Sequence, residues 1–312
     1  MHMRKKKWSR PELEACPYFV ANPVQLRNAW AARFAHQQPF HIELGCGKGV
    51  STAQMTSANR QINYLAIDIN LDVLGCARRN LEAAYGDDPI ENALLTNCHI
   101  EYIHTILGPE DRAERIYISF CNPWCARPKQ HKRRLTHPRQ LMQYREFLAD
   151  GGEIWFKTDD DQLFRDSLTY FSVCGFDAAY LTDDLHGSGF APNYVSEYER
   201  KYLASGMKIH FGIFRKRPGK LELDAVAWRE WEMDDMDGEE HAVKHYTVKR
   251  VVEDDFGCEG LPDGEELQVT LLLLDAEGAP RRLRMADAQA QALGICEGTR
   301  LAVHADGAIT TE

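Results

Sequence analysis

No apolar run in these 312 residues approaches the roughly 20 needed to cross a bilayer, which excludes a helical membrane span. The opening Met1-His2-Met3-Arg4-Lys5-Lys6-Lys7-Trp8 is basic but has no apolar stretch behind it, so it is not a secretory signal. Nine cysteines are scattered without a single C-x-x-C pair. Cys121 and Cys125 stand closest, and no second pair or histidine cluster joins them, so no four-ligand zinc site or other metal centre is expected. The thiols then read as reduced packing residues, Cys46 among them. Net positive charge is missing too: 37 Lys and Arg face 47 Asp and Glu, for a net charge of −10. That balance argues against a wholly basic nucleic-acid coat, but not against a local basic strip on an acidic body. A cytoplasmic globule is expected, with one large domain or a middling one plus a small one.

The chain is organised around Phe40–Gly49, F-H-I-E-L-G-C-G-K-G. Phe40, Ile42 and Leu44 alternate as in a strand, and Gly45, Gly47 and Gly49 then supply positions free of a Cβ. A dinucleotide fold wants G-x-G-x-x-G, whose third glycine falls on Val50 here. Instead an acid, Glu43, precedes G-x-G-x-G, which resembles the S-adenosylmethionine (SAM) loop of class I methyltransferases. Tyr64–Asp68 is a second short apolar run. It ends in an acid about twenty residues after the loop, the usual place for a carboxylate that grips a ribose diol.

Further along, Pro23–Phe34 sets Leu26, Trp30 and Phe34 at helical spacing, and helices are expected over Val50–Ser57 and Leu71–Tyr85, the latter capped by Asn70. Arg115–Phe120 and Glu153–Lys157 read as strands, Pro138–Asp150 and Gln162–Cys174 as helices, and Ala178–Thr182 and Ile209–Arg215 as closing strands. The polar segments Glu43–Gly49, Asp68, Asn97–His99, Asn122–Trp124 and Thr158-Asp159 all fall at expected strand ends, where an open α/β sheet binds its ligands.

Phe120-Cys121-Asn122-Pro123-Trp124, followed by Lys129-Gln130-His131-Lys132-Arg133-Arg134-Leu135-Thr136, resembles the signature of the bacterial TrmB family, F-x-D-P-W-P-K-x-R-H-x-K-R-R. Phe156-Lys157-Thr158-Asp159 is similar to that family's F-K-T-D, and Ser196–Lys201 to its T-x-Y-E-x-K. The likeness runs to about Arg217 in the family's order. It implies a SAM-dependent tRNA (guanine-N7) methyltransferase with tRNA as partner. The implied cofactor residues are Glu43, Gly45, Gly47, Asp68, Asn122, and Asn97 or His99. The implied substrate residues are Asp159, Ser196, Tyr198 and Glu199, with Arg127, Lys129, Lys132, Arg133 and Arg134 as a strip for tRNA phosphate. Two departures stand out. Asn122 replaces the family's Asp at the catalytic position, and Cys125-Ala126 stand where Pro-Lys would be, so that Arg127 or Lys129 is left to supply the cation.

The expected fold is α/β: a class I SAM-dependent methyltransferase, Rossmann-like and doubly wound with a mostly parallel sheet, plus a small mostly-β C-terminal domain. The expected divisions are a basic arm and helix over 1–38, the methyltransferase domain over 39–217, and an accessory domain over 218–312. Strands around Tyr246–Val252, Leu267–Leu274, Arg281–Met285 and Thr299–Val303, with a short helix at Ala288–Leu293 capped by Asp287, suggest a barrel-like module. Its acidity points away from RNA, and either a homodimer contact or plain stabilisation of the catalytic domain would suit it. Two other functions compete with tRNA methylation: a class I enzyme acting on another acceptor, and a tRNA-binding protein that has lost catalysis at Asn122.

Overall fold

The computed structural model describes residues 6–125, 128–221, 244–253, 267–275, 278, 280–303 and 309–311. They fall into two compact units, one of Arg4–Trp124 with Lys129–Glu222 and one chiefly of Leu223–Glu312.

The first unit is built on eight strands: β1 (Phe19–Val20), β2 (Phe40–Leu44), β3 (Asn63–Asp68), β4 (Ala93–Asn97), β5 (Ala113–Ser119), β6 (Leu148–Thr158), β7 (Phe176–Thr182) and β8 (His210–Lys216). Their order across the sheet is β1-β4-β3-β2-β5-β6-β8-β7. All neighbours pair in parallel except β8, which runs antiparallel to both β6 and β7. Every residue of β2 and of β3 is buried, as strands covered on both faces require. The order reverses between β2 and β5, and a crevice opens there at the carboxyl ends of the strands.

Helices α2 (Val50–Ala58), α3 (Leu71–Tyr85), α4 (Pro138–Phe147), α5 (Asp161–Val173) and α6 (Glu197–Ala204) follow a short α1 (Ser9–Glu14). The Asn70 side chain caps α3 as expected, accepting from the Asp72 amide, and Asp160 caps α5 by accepting from the Leu163 amide at 2.7 Å. Gly49 enters α2 with φ of 67°, and a Cβ there would stand 2.6 Å from that of Ala77 on α3. Glycine is therefore required both by its dihedral and by the packing of the two helices.

Two local expectations are corrected in this unit. Pro23–Phe34 is not one helix but two 3-10 turns, Pro23–Leu26 and Trp30–Arg33. Asn28 breaks it with φ of 66°, because the buried Asp111 carboxylate takes the amides of Asn28 and Trp30 at 2.9 and 3.2 Å. Trp30 remains a core residue, its indole N–H donating to the Ile106 carbonyl at 2.7 Å. Helix α4 stops at Phe147, and Leu148 already pairs with Ala113 as part of β6. The Ser196–Lys201 motif, not assigned to any element from the sequence, opens helix α6.

The second unit carries β9 (Lys244–Glu253), β10 (Gln268–Leu274), β11 (Pro280–Ala286), β12 (Arg300–Val303) and β13 (Ile309–Thr311) in an antiparallel sheet ordered β11-β10-β9-β12-β13. The described strands leave β11 and β13 at opposite ends, so they form a sheet and not the expected barrel. Val248, Leu271, Leu273 and Leu301 fill its core with Ala290 of α7 (Asp287–Ala292). Asp287 does not cap that helix. It is the first helical residue, and its amide is taken by the Leu267 carbonyl at 2.7 Å.

Candidate active site

Strand β2 delivers Glu43 to the crevice, where the carboxylate is buried. It accepts from the Ser51 hydroxyl at 2.9 Å and from that of Thr52, both on the first turn of α2. Burial pushes its pKa up to about 7 against those two bonds. Asp68 ends β3, equally buried, and burial raises it to about 6. One of its oxygens accepts the Gly47 amide at 3.0 Å and the other the Asn70 amide at 2.9 Å. Asp68 thus ties the glycine loop to its own strand end. Gly45 and Gly47 both take positive φ, 72° and 57°, and the amides of Gly45 and Cys46 bond the Ile67 carbonyl.

Asn97, at the end of β4, spends its amide on the carbonyls of Asp68 and Ile69. His99 caps the following 3-10 turn, with Nδ1 accepting from the Glu101 amide at 3.3 Å. Both remain on the rim next to Asp68.

Beyond β5 the chain turns sharply. Phe120 and Trp124 take φ of 55° and 48° although neither is glycine, a conformation that persists only where surroundings over-determine it. Between them Asn122 is half-buried, and its Oδ1 accepts the Trp124 amide at 3.1 Å.

The end of β6 brings Lys157 and Asp159 to the same rim. Lys157 donates to Glu199 at 3.2 Å, to the Tyr194 carbonyl at 3.1 Å and to the Asn193 side chain. Glu199 is fully buried and also takes bonds from His186 and Asn193 at 2.7 and 2.8 Å. Burial lowers the Lys157 pKa, while Glu199 and Glu43 oppose that shift. Ser196 caps α6, accepting the Glu199 amide at 3.1 Å, and Tyr198 is half-buried on the same turn. Lys48 of the glycine loop reaches Glu197 at 2.9 Å, and Gln54 of α2 donates to the Val195 carbonyl at 3.0 Å. A narrow cleft between this segment and the sheet is lined by Glu43, Tyr117, Trp155, Lys157, Asn193 and Tyr194.

The expected phosphate strip divides. Lys132 and Arg133 are exposed, Arg133 lying over the Trp124 ring at 4.9 Å. Arg134 is fully buried, so the expected tRNA contact there is corrected: its guanidinium is held by the Pro123 carbonyl and Asp166. Arg127 lies outside the described residues, as does the side chain of Lys129. Among the described residues no group of acidic, histidine and cysteine side chains is placed to hold a metal, and no helix is long and apolar enough to cross a membrane.

Sequence reasoning passed over Lys157, Asn193 and His186, which converge on Glu199. Lys157 stood inside the F-K-T-D stretch, and its position at the end of a buried strand was the available signal. Ser51 and Thr52, just after the glycine loop, were the missed partners of Glu43.

A family described as putative methyltransferase matches residues 37–211, and the parallel sheet with its glycine loop and two strand-end acids is that of a class I methyltransferase. The chain is 51% identical over 219 residues to the tRNA (guanine-N(7)-)-methyltransferase of Clostridium perfringens, covering 69% of this chain and 100% of that one. With the enzymes of the same name from Acetivibrio thermocellus and Desulfitobacterium hafniense it shares 47% and 44% identity, each over 70% of this chain and 100% of theirs. The chain belongs to the family of tRNA (guanine-N(7)-)-methyltransferases. A C-terminal region extends beyond what these relatives cover.

Proposed function

We propose that this protein transfers a methyl group from SAM to N7 of a guanine in tRNA, in the cytoplasm. The observation that carries the proposal is an identity of about half that extends over the full length of the Clostridium perfringens enzyme. Its motif residues meet at adjacent strand ends.

The rim fits SAM. Asp68 takes the backbone N–H groups of Gly47 and Asn70 on separate oxygens, with a further bond from the Ile69 backbone, and a carboxylate offers about four acceptor sites, which leaves room for a ribose hydroxyl. A Cβ on Gly45 would meet only Leu135, at 3.9 Å, so the loop backbone is open to a ligand. Glu43, Gly45, Gly47, Asp68 and the Asn97–His99 turn would hold the cofactor, which supplies an activated methyl group on a sulfonium.

Guanine N7 has a free lone pair at neutral pH, so the protein needs no general base. Its task is to orient the base, and well-aligned reactants gain up to about 7–11 kcal/mol from that alone. Asn122 suits the task. Its Oδ1 accepts the Trp124 amide, which fixes the side chain at the strand end, and a polar group held there can hold the base by hydrogen bonds. We assign Asp159, after the end of β6, and Ser196 and Tyr198, at the start of α6, to the nucleotide, and exposed Lys132 and Arg133 to its phosphates.

Incubation with SAM and unmodified tRNA, followed by nucleoside mass spectrometry, tests the proposal. 7-Methylguanosine is expected, and it is lost on Glu43→Ala or Asp159→Ala. Intact tRNA binding without product would favour the binding-protein alternative, and absence of both would point to another methyl acceptor.

A further inference from the structure

Lys132, Arg133 and Arg134 are consecutive cations, yet the third is fully buried while its neighbours face solvent. Arg134 Nε donates to the Pro123 carbonyl at 2.6 Å, and its Nη1 pairs with Asp166 Oδ2 of α5 at the same distance. Asp166 is oriented from its other oxygen by Gln162 at 2.7 Å. Just after Arg134, the buried hydroxyls of Thr136 and Ser167 meet at 2.7 Å and dock the same segment on α5.

Pro123 is the residue after Asn122, and the loop around it is flanked by two non-glycine residues at positive φ. Such a backbone relaxes unless something holds it. A buried ion pair adds little net stability compared with apolar packing, and its best-attested use is to specify one arrangement. The planar fork of arginine reaches a carbonyl and a carboxylate at once in fixed directions, which the single ammonium of lysine does not reproduce.

We propose that Arg134 is a positioning residue that, through the Pro123 carbonyl and with Asp166 as anchor, fixes the turn presenting Asn122 to the substrate base. It rests on the methyltransferase reading above and assigns Arg134 to the methyl-transfer step instead of to tRNA affinity.

Arg134→Lys and Asp166→Asn, made in the full chain, test this. Hydrogen exchange across Ser119–Cys125 should speed up in both variants while the Phe40–Gly49 segment exchanges as in wild type. At a temperature well below the variants' melting points, kcat should fall by about 10- to 100-fold, the scale of a misplaced reacting group, with KM for tRNA within about twofold. A raised KM at unchanged kcat would make Arg134 a tRNA contact and overturn the proposal, as would unchanged exchange in both variants. If wild type itself makes no 7-methylguanosine, the functional reading fails, and the exchange data still decide whether Arg134 holds the turn at Pro123. Asp166→Asn nearly preserves side-chain size and covers the case in which Arg134→Lys does not fold.

Discussion

Lys157 on β6 and Glu199 on α6 stand 3.2 Å apart at the rim of the site, with the carboxylate fully buried and the lysine nearly so. Truncating Lys157 leaves the buried Glu199 carboxylate to the bonds from His186 and Asn193, and breaking a buried pair in this way costs about 3–5 kcal/mol. Lys157→Met should therefore lower stability by about that amount in denaturant unfolding. The double variant Lys157→Met with Glu199→Gln should recover part of the loss. Strict additivity of the two changes would show that the pair is not coupled.

Glu43 gives the stability of the protein a definite pH signature. Its pKa is 4.5 when exposed and is pushed up to about 7 by burial, so the folded state holds the proton over that interval and the unfolded chain releases it. Stability from this group is fully present below pH 4.5 and is lost as pH rises to 7. At about 1.4 kcal/mol per pKa unit, the loss is about 3 kcal/mol. Urea unfolding from pH 4.5 to 8 should show that decline relative to Glu43→Gln, whose amide does not titrate. Parallel curves for the two proteins would place the raised acid elsewhere.

Asn122→Asp restores the residue that the TrmB pattern carries. Because the Asn122 oxygen already accepts the Trp124 amide, a carboxylate keeps the turn and strengthens that bond. It also stabilises the positive charge that guanine acquires on methylation. The expected result is an unchanged kcat or a rise of up to about tenfold, the worth of one charge-assisted bond. A collapse in rate at intact tRNA binding would mean that the donating amide is indispensable.

Lys132→Ala with Arg133→Ala should weaken tRNA binding and leave SAM affinity untouched. Each lost phosphate contact reduces the slope of log K against log salt by roughly 0.7–0.9, so the pair should flatten it by about 1.5. Filter binding between low and moderate salt measures this. An unchanged slope would show that these exposed cations make no phosphate contact.

How far the sequence spoke for itself varied with the range of the interaction. The strand ends were legible because glycine punctuation, short apolar runs and the acids after them are local signals, and the strands ending at Leu44, Asp68, Ser119 and Thr158 each close within one residue of the expected end. Arg134 was not legible. A run of cations reads as solvent-facing, and its burial depends on an aspartate 32 positions away. Pro23–Phe34 had a helical period, but Asp111, 83 positions from Asn28, captures the amides that the helix would need. Glu199 was singled out as a substrate residue within Ser196–Glu199. Only the fold shows that its carboxylate is also enclosed by Lys157, His186 and Asn193.

The packing of Gly49 on Ala77 has a consequence for how this protein tolerates change. Ala77 lies wholly inside α3, with its Cβ 2.6 Å from the place a Gly49 side chain would need. Neither position has slack to lend the other. A methyl group added on the helix presses on the hinge of the glycine loop as directly as one added in the loop itself. Drift on α3 is thus policed by a loop it does not belong to, and an alanine with no chemistry of its own inherits the constraint of the glycine loop.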